Sequence, residues 1–194
     1  MANILFLAHR LPYPPKVRSY HLLRHLAERH QVHLGTFVDD PDDLQHLPTV
    51  KGWCAGLYAE PLQPRRARLA SLRGLATGEA LTEVYYRSPR LARWVAQTMQ
   101  RERIDATVVF SSSMAQYALA HPAVPTLVDF VDVDSAKWAD YAPQHRWPMS
   151  WLYAREGRLL LACERRVAAQ ARRSFFATDK EAALFRSLAP EAAN

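Results

Sequence analysis

Two short apolar runs flank a stretch of helical period at the start of the chain. Asn3 to Ala8 (NILFLA) and Val32 to Val38 (VHLGTFV) are bounded by polar residues, which predicts two buried strands. Between them, Arg18 to His30 reads as a helix, with Val17, Leu22, Leu23 and Leu26 on one side and Arg24, Glu28 and Arg29 elsewhere on its circumference. Strand, helix and strand make a βαβ unit, whose strands must run parallel through a right-handed crossover. Ligands of such sheets sit outside the carboxyl ends of the strands, so the loop His9 to Ser19 is the first place to expect chemistry.

The pattern continues at lower contrast. Asp39 to Pro48 is polar and acidic and predicts a loop, Lys51 to Glu60 a weak third strand, and Arg65 to Leu75 a helix within an arginine-rich stretch. Ser88 to Arg103 is a clearer helix, with Ser88 as N-cap, Pro89 at the first helical position and an apolar side of Leu91, Trp94, Val95, Thr98 and Met99. Asp105 to Phe110 and Val124 to Phe130 are continuous apolar runs, as expected of strands covered on both faces. Ser111 to Ser113 can cap a helix Met114 to Ala120, and Asp132 to Pro148 reads as a long loop. Ser150 to Arg172 is a long helix, Ser174 to Ala177 a last strand, and Asp179 to Leu188 a last helix capped by Thr178 or Asp179. The fold class that follows is α/β: an open, mainly parallel, Rossmann-like sheet of about six strands with helices on both faces, in one domain over 1–188. Residues 189–194 are expected to be a tail or the start of a linker.

Composition adds little to this picture, but charge changes it. With 194 residues, 49% hydrophobic and 23% charged, the chain can bury a real core. No apolar run approaches the roughly 18 residues of a membrane helix, and the N-terminal run lacks the basic flank of a signal peptide. A cytoplasmic protein is expected. Cys54, in a predicted strand, and Cys163, in a predicted helix, are expected as buried thiols. The net charge of +6 is concentrated in Arg65, Arg66, Arg68 and Arg73, and again in Arg155, Arg158, Arg165, Arg166, Arg172 and Arg173. No nucleic-acid recognition motif accompanies them. An anionic membrane surface, or an anionic lipid-linked or nucleotide substrate, accounts for them equally.

The candidate chemistry falls in two places. The first loop sets His9, Arg10, Lys16, Arg18 and Ser19 near a helix N-terminus, where backbone amides and the dipole favour a phosphate or a sugar hydroxyl. It contains no glycine, so it is neither a dinucleotide fingerprint nor a P-loop, and a Rossmann oxidoreductase is disfavoured. LVDFVDVDS places Asp129, Asp132 and Asp134 at the carboxyl end of a strand, with Ser111 and Ser112 of the serine run bordering the same crevice. Asp132-Val-Asp134 could hold a divalent metal, but contacts to sugar or acceptor hydroxyls are the better reading. No histidine spacing suggests a metal, and no nucleophile elbow is present.

Four blocks in order, NILFLAHRLPYPPKVRSYHLLRHLAERHQVHLGTFVDDPDD, LVDFVDVDSAKWADYA, WLYAREGRLLLACERRVA and FFATDKEAALFRSLAP, resemble the N-terminal half of the sugar transferases of the PEP-CTERM/exosortase system, which are similar to glycosyltransferase family 4. The resemblance implies a GT-B half-fold that receives the acceptor, with the nucleotide sugar bound mainly by a second domain. It further implies a retaining, metal-independent transferase of exopolysaccharide assembly that uses no cofactor beyond its nucleotide-sugar co-substrate. The expected partners are that donor, a lipid-linked or saccharide acceptor, and an anionic membrane at its inner face, without nucleic acid. By position, Lys16, Arg18 and Ser19 would lie against donor phosphates or acceptor, and Asp129 and Asp132 would line the cleft. The family's usual glycine-containing insert is missing between Pro15 and Lys16. Its donor-binding glutamate pair is not among these 194 residues, so they are not expected to turn over alone. The rival reading is a non-catalytic basic module that binds a nucleotide or nucleic acid.

Overall fold

A computed structural model of the protein describes residues 1–192; Ala193 and Asn194, the end of the expected tail, lie outside the described residues. In chain order the elements are β1 (Asn3–Ala8), α1 (Val17–Ala27), β2 (Gln31–Val38), α2 (Leu47–Lys51) and β3 (Gly56–Pro61). Then come α3 (Pro64–Ser71), α4 (Arg73–Thr77), α5 (Leu81–Tyr85), α6 (Pro89–Arg101), β4 (Ala106–Phe110), α7 (Ala115–Ala118) and β5 (Thr126–Val131). The last are α8 (Asp134–Tyr141), α9 (Met149–Gln170), β6 (Arg173–Phe176) and α10 (Asp179–Leu188).

The strands form one all-parallel sheet in the order β3-β2-β1-β4-β5-β6. The chain first winds outward from β1 to β3, then returns to the other side of β1 with β4. That reversal opens a crevice at the carboxyl ends of β1 and β4. The fold is Rossmann-like α/β, as the continuous apolar runs require.

Strand alternation divides the core in two. Leu5, Leu7 and Phe37 point to the face covered by α6 and α9, where they meet Leu91, Val95, Leu160 and Val167. Ile4, Phe6, Ala8 and Leu34 point to the other face and pack with Leu23 of α1 and Val50 of α2. Two glycines set how closely helices approach. A Cβ on Gly35 would stand 2.9 Å from Trp94, so α6 lies directly on β2. One on Gly157 would stand 3.0 Å from both Ser135 O and Ala139 N, so α8 and α9 form a close hairpin.

Ser88 caps α6 as its sequence predicts, accepting hydrogen bonds from Arg90 N and Leu91 N at 3.1 and 3.2 Å, and Thr178 caps α10 through Glu181 N at 3.2 Å. Elsewhere the structure corrects the sequence reading. The expected loop over residues 39–48 is a 3-10 turn, Pro41–His46, begun by Asp40 accepting from Asp42 N, followed by α2. The expected helix between Arg65 and Leu75 divides into α3 and α4, and α5 follows after Gly78 at φ +75°. Ser111 caps no helix with its side chain: it sits at φ +79° ahead of a 3-10 turn, and α7 is one turn long. The expected loop from Asp132 to Pro148 contains α8. Cys54 lies half-buried in the turn before β3 rather than in a strand, whereas Cys163 is buried in α9 as expected.

The long helix α9 organises its side of the molecule through buried charges. Arg155 donates to Gly74 O at 2.6 Å and to Glu79 O at 3.2 Å, closing the carboxyl end of α4. Glu156 accepts from Leu81 N and Thr82 N at 2.7 and 2.8 Å, capping α5. Glu164 accepts from Ser135 N at 3.2 Å and from Ser135 Oγ at 2.5 Å, capping α8. Each supplies a partner to backbone groups that a helix terminus leaves open. Beyond α10, Ala189 and Ala192 are buried, and Glu191 is ion-paired with Arg165.

Candidate functional site

β1 and β4 end side by side, with Ala8 opposite Phe110 in the register. The next residue on β1 is His9, and its ring lies parallel to the Phe110 ring (centroids 6.0 Å, 6°) and edge-on to Tyr86 at 5.7 Å. His9 Nδ1 is 3.4 Å from Phe110 O. A carbonyl can only accept, so Nδ1 carries the proton in that contact and Nε2 is left with a lone pair. Burial lowers the pKa of His9 below 6.5, outweighing the opposing effect of the Phe110 carbonyl, and keeps the ring neutral.

A pocket of about 190 Å³ opens here, lined by His9, Arg10, Lys16, Arg18, Ser19 and Phe110. Tertiary structure thus gathers the first-loop candidates His9, Lys16, Arg18 and Ser19 around one space. Lys16 is the N-cap position just before α1, and its ammonium stands 5.7 Å over the Tyr13 ring. Ser19 is buried, and its hydroxyl donates to Lys16 O at 3.1 Å, which tightens the first turn. Arg10 pairs with Asp39 at the end of β2 at 2.9 Å.

Arg18 reaches across the crevice. Its Nε and Nη2 donate to the two oxygens of Asp129 at 2.8 and 3.2 Å, and Nη2 donates also to Phe176 O at 3.3 Å. One guanidinium therefore ties α1 to the ends of β5 and β6. Asp129 is buried and accepts from Val131 N at 3.0 Å as well. That bond holds Val131 at φ +69°, a strained conformation for a β-branched residue. Ser111, at positive φ on the neighbouring strand, is strained in the same way, and Ser111 Oγ lies 3.1 Å from Ser113 Oγ. Such strain clusters at the ends of β4 and β5, where the chain turns back over the crevice.

The remaining candidates are placed apart from the pocket. Ser111 and Ser112 are buried at the end of β4 and do not line the pocket. Asp132 and Asp134 sit at the start of α8, where Lys137 donates to both at 2.7 and 3.1 Å. The carboxylates that a metal reading would use thus already share a cation. Among the described residues, no group of three or more metal-ligating side chains comes together.

A second pocket, of about 660 Å³, lies at the carboxyl ends of β2 and β3 and is bounded by Arg65, Arg66 and Arg68 of α3. Arg73 on α4 is exposed outside it. None of these four arginines is ion-paired among the described residues. Three of the six arginines of the other basic group are engaged: Arg155 holds the α4 carbonyls, Arg165 pairs with Glu191, and Arg166 pairs with Glu83 at 3.3 Å.

Sequence reasoning missed Tyr86, Phe110 and Lys137. Lys137 carried a local signal, three residues after Asp134 on a helix. Tyr86 carried none, because α5 reaches His9 only through the packing of the helical layer. A family model of the glycosyl transferase 4-like domain matches residues 15–194. No curated protein and no solved structure matches the chain.

Proposed function

The chain belongs to the glycosyl transferase 4-like domain family, and we propose that it forms the acceptor-side half of an enzyme that moves a sugar from a nucleotide sugar to a lipid-linked or saccharide acceptor. The observation that carries this reading is the pocket at the β1–β4 reversal, where Lys16, the lining cation without an ionic partner among the described residues, faces the same space as a neutral His9, beside the ion-paired Arg10 and Arg18. Charge develops on the donor diphosphate as its bond to the anomeric carbon breaks, and the Lys16 ammonium is the cation free to stabilise it. The acceptor hydroxyl oxygen forms the new bond to the anomeric carbon. The nucleoside diphosphate leaves with the electron pair, and the hydroxyl proton passes to a departing phosphate oxygen. The lone pair on His9 Nε2 is suited to orient that hydroxyl.

Retention at the anomeric carbon, independence of metal and a role in exopolysaccharide assembly are parts of the proposal that rest on the family resemblance. In this reading a second domain holds the nucleoside. Peripheral contact with the inner face of an anionic membrane rests on the unpaired Arg65, Arg66, Arg68 and Arg73. No helix among the described residues is long and apolar enough to cross a membrane.

The test is nucleoside diphosphate release by the protein purified from its own host, with a panel of UDP-, GDP- and ADP-sugars. Lys16→Ala should lower kcat/KM about 10- to 100-fold with the accepted donor. Full turnover in that variant would move the diphosphate out of this pocket.

A further inference from the structure

The pocket at the ends of β2 and β3 has the chemistry of an amphiphile site. Its floor is apolar, built from Val38, Leu44, Leu62 and three prolines, and its rim carries Arg65, Arg66 and Arg68. The one carboxylate on the rim, Asp39, is already neutralised by Arg10 at 2.9 Å. The rim is therefore cationic and the floor oily, a pairing that fits an anionic head attached to a hydrocarbon chain. A volume of about 660 Å³ is within the range of small-molecule sites.

Its position relates it to the first pocket. Arg10 lines the crevice pocket and Asp39 lines this one, so their ion pair is a shared wall. A ligand whose head lies among the three arginines has its polar end one ion pair away from the place assigned to the donor diphosphate.

The helices beyond the pocket present the surface such a ligand would come from. Leu69, 70% exposed, and Leu72 follow the arginines on α3 and at its end. Arg155 joins the end of α4 to α9, and Trp151, 54% exposed, lies one helical turn before Arg155. Trp147, 80% exposed, precedes it at the tip of the α8–α9 hairpin. Exposed leucine following unpaired arginine on one short helix is the composition of a surface that meets lipid headgroups.

We propose that this second pocket binds the phosphate end of a single-chain lipid phosphate, and that this lipid is the acceptor, or carries it. The proposal rests on the transferase reading only for the word acceptor; the binding itself follows from the pocket.

Binding of three probes to the full chain tests it: farnesyl phosphate, which has head and chain, farnesol, which has the chain alone, and inorganic phosphate, the head alone. Farnesyl phosphate should bind saturably and at least tenfold more tightly than either. Arg66→Glu combined with Arg68→Glu should weaken it at least tenfold, as should Leu44→Asp on the floor, while Arg73→Glu, outside the pocket, should leave it unchanged. All of these side chains are exposed, so the variants should fold, and a circular-dichroism melt checks that they do. Farnesol binding as tightly as its phosphate ester would overturn the proposal, and so would an unchanged affinity in the double variant. No nucleotide sugar is present in this experiment. Failure of nucleoside diphosphate release with intact lipid binding would sink the transferase reading alone, and the converse would sink this one alone.

Discussion

The charges of α9 and the charges of α3 and α4 have opposite fates. On α9, Arg155, Glu156 and Glu164 are buried, and each closes the end of another helix. On α3 and α4, Arg65, Arg66, Arg68 and Arg73 stand in solvent without an ionic partner among the described residues. Both stretches read as arginine-rich helices of the same kind. The difference lies in what surrounds them: α9 is packed between α8 and α5, where backbone ends need partners, whereas α3 borders an open pocket. Charge that the fold uses is lost to function, and charge that the fold leaves alone is available to a ligand.

The comparison is tested most strongly at Glu164. Burial pushes its carboxyl up from 4.5 to about 7, against the two hydrogen bonds donated by Ser135. The folded chain thus keeps a proton that the unfolded chain has released. Stability from this group is highest below pH 4.5 and falls as pH rises to about 7, by up to about 3 kcal/mol. Glu164→Gln should remove that slope, so that the variant melts above the native protein at pH 8 and much closer to it at pH 4.5. Equal slopes in the two proteins would mean that Glu164 is not held in the buried cap.

Next in size is Arg155→Ala, which removes the guanidinium from the carbonyls of Gly74 and Glu79, although Gly74 O keeps the backbone N–H groups of Gly78 and Glu79. A loss of about 2 kcal/mol is expected, read as a fall of several degrees in Tm. A variant as stable as the native chain would show that the end of α4 is held by something else.

The smallest effect on stability belongs to the exposed group. Arg68→Glu with Arg73→Glu should change stability by no more than about 0.5 kcal/mol while weakening sedimentation with anionic vesicles. Unchanged vesicle binding would remove the membrane contact and leave the fold comparison standing.

Where partners are close in sequence, most of the fold could be read directly, the 3-10 turn begun by Asp40 being an exception. β1 spans Asn3–Ala8, the apolar run itself, and α6 begins where Ser88 and Pro89 say it should. That His9, Lys16, Arg18 and Ser19 would share one space was suggested too, since a βαβ unit places the loop after its first strand at the sheet's carboxyl edge. α8 was not legible, because its first turn is capped by Glu164, 29 residues from Ser135, and no local cap announces it. α5 was hidden for the same reason, with Glu156 75 residues from Leu81. At the candidate site, nothing near Arg18 in the chain indicates that it reaches Asp129, 111 residues away.

Hydrophobic period and short-range capping, which act over a few residues, determined by themselves the class of fold, the strands of the sheet and the loop that borders the β1–β4 crevice. Tertiary structure alone decided which charges are buried as helix caps, which remain on an open pocket rim, and that two pockets share the Arg10–Asp39 wall. Those outcomes depend on the surroundings of a charge, and its surroundings are set by chain segments that meet only when the sheet and its helical layers close.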